Sequence, residues 1–389
     1  MRIVRIVERT VALRTPLSNA RSDFSQMTAT IVAVVSDVVR GGRPLAGYAF
    51  NSFGRYACGE QIRERITPRI LAADPNSLLD STGRNLDPIA IHACGQQRER
   101  RGGYAERSIP MGTVDVAIWD LVAKIEDKPL HAVLAERYGG GTVRTHAPVY
   151  VGGGWYFPGQ TPADLKAEMA RYRDAGYGMV KMKVGGPSVA EDCKRIEAVL
   201  SVMGEGDALA VDASCAFGRE AALAYARALA PYRLRWYEEP CDFLEYETYA
   251  ELARAYDGPL ATGENMACAK ELDHFLAYGG FRADRDIIQV DPPLAFGITE
   301  YLKVLAVAAK HGFSRAAMYP HGGNLMCLHV VGGLGLGGCE SYPDTFGIFS
   351  GFGEEVAIAG GRASLPQSPG IGFERQPALY AAMRDLAGI

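Results

Sequence analysis

The sequence predicts an α/β protein, a (β/α)7β TIM-like barrel with an N-terminal α+β capping domain, and three observations lead there. After "ERYGGG" (from Glu136), short apolar runs alternate with segments of helical period, which means βαβ units and a parallel sheet. Eight such runs can be counted, enough to close a barrel. Ionisable residues recur at the C-terminal ends of these runs, at close to the length of one βα unit.

Taken in order, Ile3 to Leu13 and Thr28 to Phe50 are rich in β-branched and aromatic residues, and "RGGRP" interrupts the second run, giving a strand, a polar loop and a hairpin. Val114, Ala117, Ile118, Leu121 and Val122 then fall at i, i+3, i+4, i+7 and i+8, the apolar stripe of a helix. Residues 1–140 therefore read as the capping domain and 141–360 as the barrel. About 361–389, opening with "LPQSPGIGFE", returns to complete the cap.

Barrel strands are expected at Pro148 to Gly152, Met179 to Val184, Leu209 to Ala213, Arg235 to Glu239, Leu260 to Glu264, Ile287 to Asp291, Ala316 to Tyr319 and Gly337 to Glu340. Thr161, Pro162 and Asp164 start one intervening helix, Leu165, Met169 and Tyr172 make its stripe, and Gly176 stops it. Ser188 and Glu191 form a capping box for the next.

Composition excludes several functions. Of 389 residues, 48% are hydrophobic and 22% charged, an ordinary globular balance, and the net charge of −4 offers no basic field for nucleic acid or anionic lipid. The run Arg98 to Arg101 is followed by Gly102 and Gly103 and reads as a solvated loop. Eight cysteines lack any CxxC or Cys/His spacing, as expected of reduced thiols in the cytoplasm. Neither a signal-peptide core nor a run of ~18 apolar residues occurs, so no export or membrane span is expected.

Lys183, Asp212, Glu238, Glu264, Asp291, His321 and Glu340 end successive strands, at steps of 29, 26, 26, 27, 30 and 19 residues. Singly, an acid after a strand is an ordinary helix cap or loop residue. Their recurrence at the unit length is what argues for one shared barrel mouth, where barrel active sites lie. Asp212, Glu238 and Glu264 would repel one another unless a hard cation filled the nest, and Mg²⁺ suits such oxygen ligands, with Mn²⁺ the other candidate. Strand alternation selects Glu238 over Glu239.

Alternation also puts Lys181 and Lys183 on one face. Two close ammonium groups disfavour each other's protonation, so one pKa is expected to fall, and Lys183, nearer the mouth, becomes the general base. Asp291 beside His321 would fix the ring's tautomer and make it a second acid/base opposite the first. Glu340 is either a protonated hydrogen-bond donor to a developing oxyanion or a structural residue.

The Lys-x-Lys strand, the Asp, Glu, Glu triple in "VDA", "EEP" and "GEN", the Asp and His of the sixth and seventh strands, and "AIWDLVAKIEDKPLHAVL" upstream resemble the enolase superfamily, in its mandelate racemase-like subgroup. Within it, "VKMKVGG", "WYEEP", "PHGG", "GLGLGG", "ESYPD" and "PGIGFE" are similar to the D-tartrate dehydratase branch. The resemblance implies a small-molecule acid-sugar substrate, an enediolate stabilised by one Mg²⁺, and a homo-oligomer. It also implies that cap loops around Leu17 to Phe24 and Ser52 to Tyr56 close over the substrate, with Asn19 and Arg21 as candidate substrate-binding residues.

In that branch Lys183 takes the α-proton and protonated His321 helps the β-hydroxide leave, giving an enol that becomes a 2-keto acid. Ser214 and Cys215 depart from an expected asparagine and glycine, and Asn324 from an expected histidine. Racemisation or epimerisation of a 2-hydroxy or sugar acid would use the same lysine and histidine. Phosphate binding at "GGLGLGG" and ligand binding without turnover are the remaining alternatives.

Overall fold

The computed structural model describes residues 1–13, 15–52, 56–157 and 159–389. Strands β1 (Ile3–Ala12), β2 (Thr28–Arg40) and β3 (Arg43–Phe50) form an antiparallel sheet in that order. The β2–β3 hairpin turns through Gly41 and Gly42 at φ 60° and 78°, backbone that side chains rarely tolerate, so the glycines of "RGGRP" set the turn.

The helix Tyr104–Ile125 lies on this sheet so closely that a Cβ at Gly47 would stand 2.0 Å from the Ala117 carbonyl oxygen. Its buried surface is wider than the single stripe expected, running through every residue from Pro110 to Lys124. The reason is a second partner on its other side: a Cβ at Gly112 would meet the Pro293 carbonyl oxygen at 2.3 Å, so barrel and sheet sandwich the helix.

The barrel strands are β4 (His146–Gly153), β5 (Val180–Lys183), β6 (Leu209–Asp212), β7 (Tyr237–Glu238), β8 (Leu260–Thr262), β9 (Ile287–Ile288) and β10 (Cys339–Ser341). They pair in parallel from β4 to β9, and β10 pairs back onto β4. The strand expected at Ala316 to Tyr319 is not formed. Arg315–Ala317 is a 3-10 turn, held by Arg315 donating to the carbonyls of Leu334 and Tyr138 at 2.7 and 2.9 Å. Met318 and Tyr319 continue the sheet without forming a strand, through a bridge from Met318 to Ile288, the Tyr319 amide on the Ile288 carbonyl at 2.9 Å and the Gly337 amide on the Met318 carbonyl at 3.0 Å.

Both helix starts read from sequence carry capping boxes, at Thr161/Asp164 and Ser188/Glu191. Inside the barrel, Tyr150, Trp236 and Tyr319 make an aromatic floor with Ala210, Ala261 and Ile287. After a short hairpin of β11 (Ile358–Ala359) and β12 (Arg362–Ser364) on β4, the tail reaches the cap, where its helix Pro377–Ala387 packs on β2. No disulfide joins cysteines among the described residues, and no helix among them is long and apolar enough to cross a membrane.

Buried polar joints tie cap to barrel. Asp115 accepts from the Thr299 amide at the start of a barrel helix (3.0 Å), while within the cap Asp120 accepts from the amides of Tyr48 (2.8 Å) and of Ile371 in the returning tail (2.6 Å). His329 takes the His131 amide on Nδ1 (3.0 Å) and reaches the Ile371 carbonyl with Nε2 (2.9 Å), which assigns the proton to Nε2. Burial, with His131 beside it, pulls the His329 pKa down to about 3.

Because this lies below the ordinary ~6.5 of an unfolded histidine, the unfolded chain binds the proton first. Stability is whole above that value and lost as pH falls toward 3. Between pH 7 and 5 the protein should lose about 2 kcal/mol more stability than His329→Gln, by chemical denaturation. Equal losses in the two proteins would contradict this joint.

Candidate active site

The register of the parallel ladder builds the site. Lys183 pairs with Asp212, and Asp212 with Glu238, so neighbouring strands present these three side by side at the barrel mouth. Lys181 pairs with Ala210, a small neighbour over which its long side chain can lie. Glu264 follows β8, Asp291 follows β9, His321 stands beyond Met318, and Glu340 lies in β10.

Lys181, fully buried, has its Nζ 2.7 Å from both Glu238 and Glu340 and 3.4 Å from Asp212. Lys183 donates to Asp212, and its ammonium lies 4.8 Å from the centre of the Trp155 ring. Carboxylate oxygens of Asp212, Glu238 and Glu264 lie within 4.8 Å of one another, a group able to hold a metal ion. Glu238 is anchored from below, where Trp236 Nε1 and Gln289 Nε2 each donate to its Oε2 at 2.7 Å. The aromatic floor thus orients one member of the nest.

The opposite wall carries the histidine. His321 Nδ1 is 2.9 Å from Asp291 Oδ2, while Nε2 lies 3.4 Å from Glu264 and 3.9 Å from Glu340. Asp291 also accepts from the Ser52 hydroxyl at 3.2 Å, so a cap residue steadies this pair. Burial opposes protonation of the ring, but Glu264 and the bond to Asp291 outweigh it and raise the pKa to about 9.

Two electrostatic expectations need correcting. Burial and Lys181 do press the Lys183 pKa down, but Asp212, with Glu264 and Glu238, presses harder, and the ammonium stays above its ordinary value. Repulsion between the lysines loses to the acids they share. Glu340 is not a protonated donor either. Burial favours its neutral form, yet Lys181 and His321 hold the carboxyl below its usual range, and it stays ionised. Its Oε1 also accepts from the Tyr342 hydroxyl at 2.8 Å, while buried Oε2 has no hydrogen-bond partner among the described residues.

The donor set fits a divalent cation by charge. With every group ionised, five carboxylates (Asp212, Glu238, Glu264, Asp291, Glu340) would face three cations (Lys181, Lys183, His321), a formal excess of two negative charges. Burial, with Asp212, Glu340 and Glu264 nearby, drives the Glu238 pKa to about 7 despite Lys181. A cation in the nest would relieve that repulsion.

A cavity of about 440 Å³ opens elsewhere on the cap, whereas the mouth holds one of about 330 Å³ lined by Asn19, Arg21, Ser214, Glu239, Glu264 and Asn265, among others. The structure therefore brings Asn19 and Arg21 into one cavity with Glu264 of the nest. Asn19 Oδ1 is engaged by the Arg21 and Ser22 amides, shaping the loop, while Phe24 packs its ring against Trp155 at 5.6 Å. Of the second cap loop, Ser52 and Tyr56 are described, and Phe53 to Arg55 lie outside the described residues.

Strand alternation sent Glu239 away from the mouth, and the structure places it at the mouth cavity. Its left-handed backbone (φ 41°) turns it toward this cavity, bonded by Asn265 at 3.0 Å and Cys215 at 3.2 Å, and burial beside Glu264 pushes its pKa well up. Alternation could not reveal that turn. Ser214 donates its amide and hydroxyl to Asp212 at 2.7 and 3.1 Å, and Asn324 caps the helix Leu325–Leu334. In "GGLGLGG", a Cβ at Gly333 would meet the His131 carbonyl oxygen at 2.7 Å, one at Gly337 the Ala316 carbonyl oxygen at 2.2 Å, and Gly335 ends the helix at φ 69°. These glycines serve close packing and a helix stop.

Known proteins share this arrangement of chain. A family model described as enolase C-terminal domain-like matches residues 164–379. L-Talarate/galactarate dehydratase of Salmonella typhimurium is 30% identical over 368 residues, covering 93% of this chain and 85% of its own. Arabinonate dehydratase of Saccharolobus solfataricus is 29% identical over 324 residues, 82% of each chain. The crystal structure of L-talarate dehydratase from Polaromonas sp. JS666, complexed with Mg and L-glucarate, matches with a TM-score of 0.75 at 27% identity, covering 95% of this chain and 94% of that one.

The geometry predicts that chelator-treated protein takes up one Mg²⁺ per chain in a calorimetric titration. Glu238→Gln should weaken that binding by roughly 100-fold or more, since it removes a buried charge from the nest. Unchanged affinity would exclude Glu238 as a ligand.

Proposed function

The chain belongs to the enolase C-terminal domain-like family, and we propose that it is an acid-sugar dehydratase, a hydro-lyase that removes the proton α to a carboxylate and expels the β-hydroxyl. The observation that carries this reading is the pair of proton carriers, Lys183 and His321, on opposite walls of one acidic nest. Asp212, Glu238 and Glu264 would hold Mg²⁺, which would supply positive charge to stabilise the enediolate, and Asp212 would then be shared between the ion and Lys183.

Lys183 Nζ, as the free amine, takes the α-proton, and the C–H electron pair moves into the carboxylate. His321, protonated and oriented by Asp291, delivers its Nε2 proton to the β-oxygen as the C–O bond breaks. Water and an enol result, and the enol tautomerises to a 2-keto acid. Lys181 neutralises Glu238 and Glu340 beneath the reacting centre. Trp155 and Phe24 help keep bulk water from the Lys183 amine.

Arg21 and Asn19 at the rim would face the far end of an anionic substrate. A D-tartrate-like diacid fits the motif resemblance, whereas Ser214 in place of asparagine leaves room for a longer acid sugar.

A screen of mono- and diacid sugars with Mg²⁺, followed by proton NMR in D₂O, tests the reading. One substrate should yield a 2-keto acid that semicarbazide traps. Lys183→Ala should lose both α-proton exchange and turnover, by at least about 100-fold, and His321→Asn should lose dehydration while keeping some exchange. Full turnover by Lys183→Ala would remove it as the base, and deuterium exchange with inversion and no keto product would make the protein a racemase or epimerase.

A further inference from the structure

We propose that Asp192, Arg195 and Tyr156 form a positioning clamp that fixes the backbone of Lys183 and, through Gly154, the aromatic platform over its ammonium. The proposal rests on the reading of Lys183 as the base.

Lys183 ends β5, where its carbonyl has left the strand ladder. Arg195 Nη1 donates to that carbonyl at 2.8 Å, with the Tyr156 hydroxyl 3.3 Å away. The amides that follow are also held: Val184 donates to the Asp212 carbonyl (2.9 Å), Gly185 to Asp192 Oδ2 (2.7 Å) and Gly186 to the Tyr156 oxygen (3.0 Å). Tyr156 has one proton to give, and Asp192 Oδ1, also 3.3 Å away, competes for it with the Lys183 carbonyl. Gly185 turns at φ 96°, and a Cβ at Gly186 would stand 2.7 Å from the Tyr156 ring, which accounts for the glycine pair after the lysines.

Arg195 completes the clamp. Its Nη1 also donates to Asp192 Oδ1 (3.0 Å), the guanidinium stacks 4.4 Å from the centre of the Tyr156 ring, and Nη2 donates to the Gly154 carbonyl at 2.7 Å. Gly154 immediately precedes Trp155, whose ring meets the Lys183 ammonium. One guanidinium therefore ties together the two segments that hold the base from behind and from above.

Helix stability does not require this buried aspartate. The helix Val189–Met203 already has its Ser188/Glu191 capping box, yet Asp192 is 1% exposed and also accepts from the Tyr225 hydroxyl at 3.1 Å. Buried ion pairs add little stability over apolar packing, whereas displacing a reacting group by ~1 Å can cost ~100-fold in rate.

The test compares Tyr156→Phe, Arg195→Met and Arg195→Lys with Lys183→Ala on the substrate found by the screen. Measurements are kcat, KM, α-proton exchange in D₂O, Mg²⁺ affinity and thermal midpoint. Arg195→Met should lower kcat and exchange together, by about 10- to 100-fold, with KM and Mg²⁺ affinity within about threefold. Arg195→Lys should recover part of the loss, and Tyr156→Phe should fall about fivefold, carrying the test if Arg195→Met does not fold.

If both Tyr156→Phe and Arg195→Met keep kcat within about twofold while Lys183→Ala is inactive, the clamp is refuted and the base reading stands. A loss of kcat accompanied by an equal loss of Mg²⁺ affinity or a collapsed thermal midpoint would reduce the three residues to a structural role. An active Lys183→Ala would instead overturn the base reading beneath the proposal.

Discussion

The mouth of the barrel concentrates more negative than positive charge in a place with little water, and the rest of the architecture answers that constraint. Asp212, Glu238 and Glu340 are almost completely buried, and Lys181 touches all three. An arrangement of this kind is costly for folding unless every charge has a partner. Here the partners come from below, through Trp236 and Gln289, from the side, through Ser214, and from the cap, through Ser52 on Asp291. What they leave over is a formal excess of negative charge, strained enough to lift the Glu238 pKa, that a divalent cation can neutralise.

The same constraint explains why the two parts of the chain meet so tightly. Asp115 and His329 are buried polar groups whose partners lie on the other side of the junction, so the cap cannot shift without leaving them unsatisfied. That rigidity holds the cap loop bearing Asn19, Arg21 and Phe24 against the aromatic wall of Trp155 and Phe346. Substrate recognition and proton transfer then share a scaffold set by packing, with the aromatic floor beneath and the cap above.

Barrel topology and the nest were legible because both are periodic. Strand ends recur at the unit length, and period-2 alternation put Lys181 and Lys183 on one face and chose Glu238, which lies in the nest. Signals that depend on three-dimensional balance were not legible. The Lys183 pKa turns on its contact with Asp212 across 29 residues of sequence, and Glu340 on Lys181 across the barrel. Glu239 was turned the wrong way because a left-handed residue breaks the alternation that sequence reasoning assumes. The helix Tyr104–Ile125 showed one stripe but is buried on two sides, since the sequence of an element does not say how many neighbours it will have. At Ala316 to Tyr319 an apolar run read as a strand, but Arg315 pins the start of it into a turn.

The central claim is that Asp212, Glu238 and Glu264 grip one divalent ion, whose charge lets Lys183 act as a base. Anomalous diffraction from crystals grown with Mn²⁺ tests it most directly. The account predicts one strong peak bounded by those three carboxylates. A peak at another place, or none, would contradict it.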